Sequence, residues 1–138
     1  MKVAFYTATR PGWQGLYSRL VRWIDKGRFS HCEVIFSDGM CASASYLDGG
    51  VRFKRIEFDE SHWEIIEVDA DESRARDWFI SHEGDAYDLI GTARFLFGLI
   101  PQNPNRWFCS ESVAAALGKA DAWRFGPCGL YADLAGKD

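Results

Sequence analysis

The 138-residue sequence predicts an α+β fold in which helices pack against one antiparallel sheet. Three observations favour this class. Apolar residues recur at helical spacing over 13–24, alternating strand patterns follow over 29–68, and a helix-forming run surrounds Cys109. Hydrophobic residues make up 47% of the chain, which is enough for a packed core, and the length suits a single domain spanning 1–138.

Charge and hydropathy exclude several classes of protein. The net charge is −4 and Lys and Arg do not cluster, so we expect no nucleic-acid partner. The longest apolar run, 95–100, is too short to span a membrane, and the first ten residues are typical of a strand rather than a signal peptide. These features predict a cytoplasmic protein whose four cysteines are free thiols, without metal or cofactor, and they leave the oligomeric state open.

Turn and capping signals divide the chain into elements. Asp69 or Asp71 is expected to cap the helix that ends near His82. The apolar helix that follows ends at Pro101. The predicted elements are, in order, strand 2–7, turn 10–12, helix 13–26, hairpin 29–45, strands 51–56 and 63–68, helix to 82, helix 88–100, loop 102–106, the cysteine helix to 117, turn 125–129 and a short helix from 130.

The length of the hairpin loop decides which side chains share a face. A three-residue loop, 37–39, places Ile35 opposite Cys41, so that polar and apolar side chains separate onto two faces. A two-residue loop would mix them, and we therefore predict the longer loop. The polar face then carries His31, Glu33, Ile35, Cys41, Ser43 and Ser45, and the apolar face carries Cys32, Val34, Phe36, Met40, Ala42 and Ala44.

Cys109 stands where a helix is expected to begin. Ala and Leu dominate the residues after it, and Gly118 is a plausible left-handed stop. The unpaired amides and the positive end of the dipole at a helix N-terminus favour a thiolate, the nucleophilic form of sulfur. The same amides can stabilise an oxyanion.

A nucleophilic thiol needs a base, and His31 on the polar strand face offers one. An imidazole exchanges protons near neutral pH, and a third polar group usually orients it. Glu33, Ser43 and Ser45 are the candidates for that third group. The other two histidines, 62 and 82, are expected at the surface, and a metal site formed by His31, Cys41 and Cys109 is a less favoured alternative.

Two motifs resemble those of a known superfamily. Ser30-His31 followed by an alternating strand, Asp38-Gly39 and a second strand resembles the histidine hairpin of NlpC-like papain-fold enzymes. Trp107-Phe108-Cys109-Ser110-Glu111 looks like their cysteine helix, and Tyr87-Asp88-Leu89-Ile90-Gly91 and Gly126-Pro127 add to the match. The histidine precedes the cysteine here, as in the circularly permuted branch, which includes small bacterial and phage hydrolases and, more distantly, lecithin:retinol acyltransferase relatives.

The resemblance implies a papain-like fold, with Cys109 as nucleophile and His31 as base. In the usual pattern of the family, the third polar residue lies on the second strand of the hairpin, and Ser43 occupies that position here. Serine orients an imidazole less well than a carboxylate or an amide does, so we rank Glu33 above Ser45 and Ser43. The oxyanion donors would be amides around Cys109 and Ser110, with Gln102 or Asn103 as possible helpers.

The expected activity is that of a cysteine hydrolase that cleaves an amide or ester through a thioester. The substrate would be a small peptide, such as a cell-wall fragment, or a lipid acyl group. The alternative from a different class is a non-catalytic binding or phage assembly module on the same fold.

Overall fold

A computed structural model describes residues 1–7, 28–88 and 105–136 of the chain. It confirms the α+β prediction. The helix predicted over 13–26 and the turn before it lie outside the described residues, as does the helix predicted over 88–100 beyond its first residue. The described elements are β1 (Lys2–Tyr6), β2 (His31–Ile35), β3 (Cys41–Ser45), β4 (Gly50–Lys54), β5 (Trp63–Glu67), α1 (Glu72–His82), β6 (Ala86–Tyr87), β7 (Arg106–Trp107), α2 (Cys109–Ala116), a 3₁₀ helix (Ala122–Arg124) and α3 (Pro127–Ala135).

The seven described strands form one sheet in the order β5-β1-β2-β3-β4-β6-β7. Neighbouring strands are antiparallel except β6 and β7, which run parallel. β2 and β3 lie inside this order, and the middle of β2 and the whole of β3 are buried. Side chains of the central hairpin therefore have fixed surroundings on both faces of the sheet.

The register of the β2–β3 hairpin is the predicted one. Ile35 pairs with Cys41 and Val34 with Ala42. The Phe36 amide donates a hydrogen bond of 2.9 Å to the Met40 carbonyl, which closes a loop of three residues. Gly39 ends that loop with φ of +83°, the left-handed conformation that a three-residue hairpin loop requires and that glycine adopts without strain.

The cysteine helix begins and ends where the sequence predicts. α2 starts at Cys109, and Gly118 beyond its last turn has φ of +76°. The Gly118 amide donates to the Ala115 carbonyl at 2.9 Å, and the Lys119 amide donates to the Ala114 carbonyl at 3.0 Å. This pair of bonds is a Schellman motif, which satisfies carbonyls that the last turn leaves open.

α2 packs on the apolar face of the central hairpin. Val113 and Ala114 are fully buried there, in one cluster with Val34, Ala42 and Ala44. The Ser112 hydroxyl accepts a hydrogen bond of 3.1 Å from the Ala44 amide and donates one of 2.8 Å to the Cys109 carbonyl. The first turn of α2 is thus attached to β3 by a side chain as well as by packing.

α1 uses the second of its two predicted caps. The Asp71 side chain accepts a hydrogen bond of 3.0 Å from the Arg74 amide, an N-cap contact that satisfies a free donor of the first turn. Ala75 and Phe79 are the buried residues of this helix.

Two predictions near the C-terminus are wrong in detail. The segment 125–129 was expected to be a turn with a helix after it, but α3 already begins at Pro127. Proline has a fixed φ suited to the first helical position and needs no acceptor for its nitrogen there, so it starts this helix. Arg106, assigned to a loop, lies in β7, because a strand of two residues is too short to produce an alternating pattern.

Candidate active site

Cys109 occupies the first position of α2 and is nearly buried, with 3% of the residue exposed. The first bond within the helix runs from the Ser112 amide to the Phe108 carbonyl, at 3.0 Å. The amides of Cys109 and Ser110 therefore have no acceptor inside the helix. A sulfur at this position lies at the positive end of the helix dipole, which favours its thiolate form.

His31 contacts both the cysteine and a carboxylate. It is the first residue of β2, where the strand begins, and its ring forms hydrogen bonds with the Cys109 sulfur and with Glu33. Its Nε2 atom lies 2.7 Å from Glu33 Oε1. That contact leaves Nδ1 as the ring atom that can exchange a proton with the sulfur.

These contacts shift two pKa values towards an ion pair. Burial alone lowers the pKa of His31, but hydrogen bonds and charge from Cys109 and Glu33 outweigh it and raise that pKa to about 9. The pKa of Cys109 lies well below that of an ordinary thiol. The largest cause is the hydrogen bond from Cys32 to the sulfur. Burial opposes this shift, and the hydrogen bond and positive charge of His31 add to it. Both shifts favour the thiolate–imidazolium form of the pair.

Glu33 is a buried carboxylate between two cations. Its side chain is 1% exposed, and Arg52 binds it through two parallel contacts, Nη1 to Oε2 at 2.8 Å and Nη2 to Oε1 at 2.5 Å. Burial favours the neutral acid, but the hydrogen bonds and charges of Arg52 and His31 outweigh burial and lower the pKa of Glu33. Asp48 in turn accepts a hydrogen bond of 2.8 Å from Arg52 Nε.

The site is therefore a row of alternating charges that runs from Cys109 through His31, Glu33 and Arg52 to Asp48. Each of the three inner groups lies between two opposite charges, so Glu33 cannot rotate away from the imidazole without breaking its two bonds to Arg52. A fixed carboxylate of this kind orients the ring and stabilises its protonated form.

Arg52 is a residue of the site that the sequence reading missed. It pairs with Ser43 in the β3–β4 ladder, and Ser43 lies on the predicted polar face of the hairpin. Extending that register by one more strand places the Arg52 side chain on the same face as Glu33. The sequence predicts a strand over 51–56 without its register against the hairpin, and that register is what reveals the position of Arg52.

Cys32 is a second such residue. Its thiol and its backbone amide both hydrogen-bond to the Cys109 sulfur. The sequence places it on the apolar face of the hairpin, and it is fully buried there. The apolar face is the one that α2 covers, so a residue on it reaches the first turn of the cysteine helix.

The serines predicted for the site have other partners. The Ser43 hydroxyl donates to the Cys32 carbonyl at 2.7 Å, and the Ser110 hydroxyl donates to the Phe125 carbonyl at 2.6 Å. Ser45 lines a cavity on the Glu33 side of the sheet. Gln102 and Asn103 lie outside the described residues.

That cavity has a volume of about 280 Å³ and lies against the carboxylate end of the charge row. Trp63 forms part of its wall and also packs edge-on near the His31 ring, with 6.3 Å between ring centroids. Its lining combines charged and apolar side chains, namely Glu33, Ser45, Leu47, Asp48, Arg52, Lys54, Arg55, Ile56, Glu57 and Trp63.

The alternative metal site is not assembled. Cys41 lies on β3 with its sulfur 3.8 Å from the Gly39 carbonyl, and burial followed by the charge of Glu33 raises its pKa to about 11. Within residues 1–7, 28–88 and 105–136, no three His, Cys, Asp or Glu side chains are close enough together to hold a metal ion. All four cysteines are free, as predicted.

In the part of the chain that the structure describes, no helix has the length and apolar character needed to cross a membrane. A scan against protein-family models and a search of curated proteins each returned no match to this chain.

Proposed function

We propose that this protein is a papain-like cysteine hydrolase that cleaves an amide or ester bond through a thioester on Cys109. The observation that carries the proposal is the buried thiol–imidazole pair at the start of α2, with Glu33 on the far nitrogen of the ring. A structural cysteine needs no imidazole, and a structural histidine needs no carboxylate held in place by an arginine.

In the first half of the reaction the Cys109 thiolate attacks the carbonyl carbon and the carbonyl electron pair moves to oxygen. The tetrahedral intermediate collapses and expels an amine or alcohol, which takes its proton from the His31 imidazolium. The acyl group remains on sulfur as a thioester. Amides of the first turn of α2 stabilise the oxyanion.

In the second half His31 is neutral and acts as a base. It removes a proton from water, which attacks the thioester carbon, and the new intermediate expels the thiolate. Release of the acid restores the thiolate and imidazolium. Glu33 and Arg52 keep the ring in one orientation through both halves, because their bonds do not depend on the acyl group.

The permuted NlpC-like branch is our proposal for the family. An antiparallel central hairpin that begins with the histidine, covered by a helix that begins with the cysteine, supports it. The same order of histidine before cysteine occurs in hydrolases and acyltransferases of that branch, so the acyl group is that of a small peptide or of a lipid.

The direct test is capture of the acyl-enzyme. We expect the protein, mixed with p-nitrophenyl acetate at pH 7, to release a burst of nitrophenolate and to gain one acetyl group on Cys109, as read by peptide mass spectrometry. Cys109→Ser is expected to lose the burst, and Cys128→Ser, which alters a thiol outside the pair, to keep it. Absence of acetylation at Cys109, with the fold intact by circular dichroism, would instead favour a binding or assembly module.

A further inference from the structure

The ladder between β2 and β3 opens at the end where the cysteine helix begins. Counted from the bond that closes the hairpin loop, hydrogen-bonded pairs recur at every second residue, at Val34–Ala42 and next at Cys32–Ala44. Among the described residues, however, the ladder ends at Val34–Ala42. The backbone groups of Cys32 and Ala44 therefore bond to other partners.

Side chains take the place of the missing ladder bonds. The Ser43 hydroxyl donates to the Cys32 carbonyl at 2.7 Å, and the Ala44 amide donates to the Ser112 hydroxyl at 3.1 Å. The Cys32 amide hydrogen-bonds to the Cys109 sulfur. Ser112 and Cys109 both belong to the first turn of α2, so the start of that helix lies at the gap between the two strands.

This arrangement brings two thiols into contact. Cys32 is fully buried, only 3% of Cys109 is exposed, and both lie in one apolar cluster, where the Cys32 thiol hydrogen-bonds to the Cys109 sulfur. The other two cysteines have different surroundings. The Cys41 thiol donates to a carbonyl of the hairpin loop, and the Cys128 sulfur accepts a hydrogen bond of 3.3 Å from the Phe29 amide. Cys32 is therefore the thiol placed to react with an oxidised Cys109.

Hydrolysis through a thioester makes no use of a second thiol, but oxidation does. A thiolate is the form of cysteine that peroxide oxidises, and a neighbouring thiol converts the resulting sulfenic acid into a disulfide before it is oxidised further. Hydrogen peroxide is smaller than any acyl substrate, so a path that admits a substrate to Cys109 admits peroxide as well.

We propose that Cys32 and Cys109 are a modification site, at which hydrogen peroxide produces a disulfide that blocks the nucleophile until a thiol reductant opens it. Formation of the bond depends on the thiol pair alone. Its effect on acyl transfer rests on the proposed hydrolase function.

Two steps form the bond. The Cys109 thiolate attacks one oxygen of hydrogen peroxide, the O–O bond breaks, and the departing hydroxide takes a proton from the His31 imidazolium and leaves as water. Sulfur loses two electrons, peroxide gains them, and Cys109 becomes a sulfenic acid. The Cys32 sulfur then attacks the Cys109 sulfur, the S–O bond breaks, and the hydroxide leaves with the proton of the Cys32 thiol as a second water.

The experiment follows the wild-type protein through oxidation and reduction. The reduced protein is treated with hydrogen peroxide, remaining thiols are blocked with N-ethylmaleimide, and tryptic peptides are analysed without reduction. We expect the intact mass to fall by two hydrogen atoms and a peptide pair joined through Cys32 and Cys109 to appear. Alkylation of Cys109 by iodoacetamide should be lost after peroxide and recovered after dithiothreitol. Cys32 and Cys41 share one tryptic peptide, so fragmentation of that peptide assigns the bond.

Two variants separate Cys32 from the other thiols. In Cys32→Ala we expect Cys109 to gain two oxygen atoms as a sulfinic acid that dithiothreitol does not reverse. Cys41→Ser is the matched control and should form the disulfide as the wild type does. The wild-type result decides the question even where Cys32→Ala does not fold.

A wild type in which peroxide oxidises Cys109 without a bond to Cys32, or joins it to Cys41, Cys128 or a second chain, would overturn the disulfide. The hydrolase proposal fails separately. A wild type that forms the Cys32–Cys109 bond but is never acetylated by p-nitrophenyl acetate in its reduced state would overturn the hydrolase and leave the modification site standing.

Discussion

Replacement of His31 by alanine is expected to slow acetylation of Cys109 by about a thousandfold, within the range that a general acid–base contributes. Without the imidazolium, the pKa of Cys109 rises because one hydrogen bond and one positive charge disappear, so less of the sulfur is thiolate and no adjacent base holds its proton. Nitrophenolate leaves as an anion without a proton donor, so this ester reports the loss of the activated sulfur. The measurement is the burst rate of nitrophenolate release at pH 7 by stopped flow.

His62→Ala is the matched control. The His62 side chain is 52% exposed and its only ion-pair contact in the described structure is with Asp59, at 3.6 Å. Its removal is expected to leave the burst unchanged. Similar rates for His31→Ala, His62→Ala and the wild type would mean that the imidazole does not activate the sulfur, and the mechanism would be wrong.

Glu33→Gln is expected to lower the free energy of unfolding by about 3 kcal/mol, the cost of leaving a buried charge without its partner. The amide keeps the shape of the side chain but removes the charge that Arg52 and His31 both face. Urea unfolding followed by tryptophan fluorescence measures the difference. Glu67→Gln, which removes an exposed carboxylate 3.9 Å from Lys2, is the control and is expected to show no measurable change.

The shifted pKa values of Glu33 and His31 determine how the stability difference between the wild type and Glu33→Gln depends on pH. The pKa of Glu33 is lowered in the folded protein, so its contribution to stability is present above pH 4.5 and is lost as the pH falls through the pKa of the folded state. His31 has a raised pKa, so its contribution is complete below 6.5 and is lost as pH rises through about 9. The free energy of unfolding of the wild type should therefore exceed that of Glu33→Gln by the largest amount between about pH 4.5 and 6.5. A difference independent of pH would contradict the coupling of Glu33 to His31.

The hairpin shows what the sequence could predict and why. Separation of polar from apolar side chains depends on register alone, and the register depends on the length of the loop at Ser37–Gly39. Local alternation therefore sufficed to place Glu33 on the face of His31. The start of α2 at Cys109 and its stop at Gly118 also follow from local signals.

The partners that arrive from elsewhere were not predictable in the same way. Arg52 reaches Glu33 across β3, and this placement depends on the register of β4, which is set by a second loop, residues 46–49, and not by the hairpin loop at 37–39. Cys32 reaches Cys109 only because α2 packs on its face of the sheet, and periodicity does not say where along a strand a helix begins.

The pH dependence of alkylation at individual cysteines tests the thiolate–imidazolium pair most directly. Iodoacetamide is applied for short pulses from pH 4.5 to 10, and each site is quantified by peptide mass spectrometry with Cys41 and Cys128 as internal references. We predict that Cys109 reaches its half-maximal rate well below the ordinary thiol pKa of about 8.5 and that Cys41 reacts only at high pH, because its pKa is about 11. A Cys109 profile centred near 8.5, unchanged in His31→Ala, would contradict an activated nucleophile at this position.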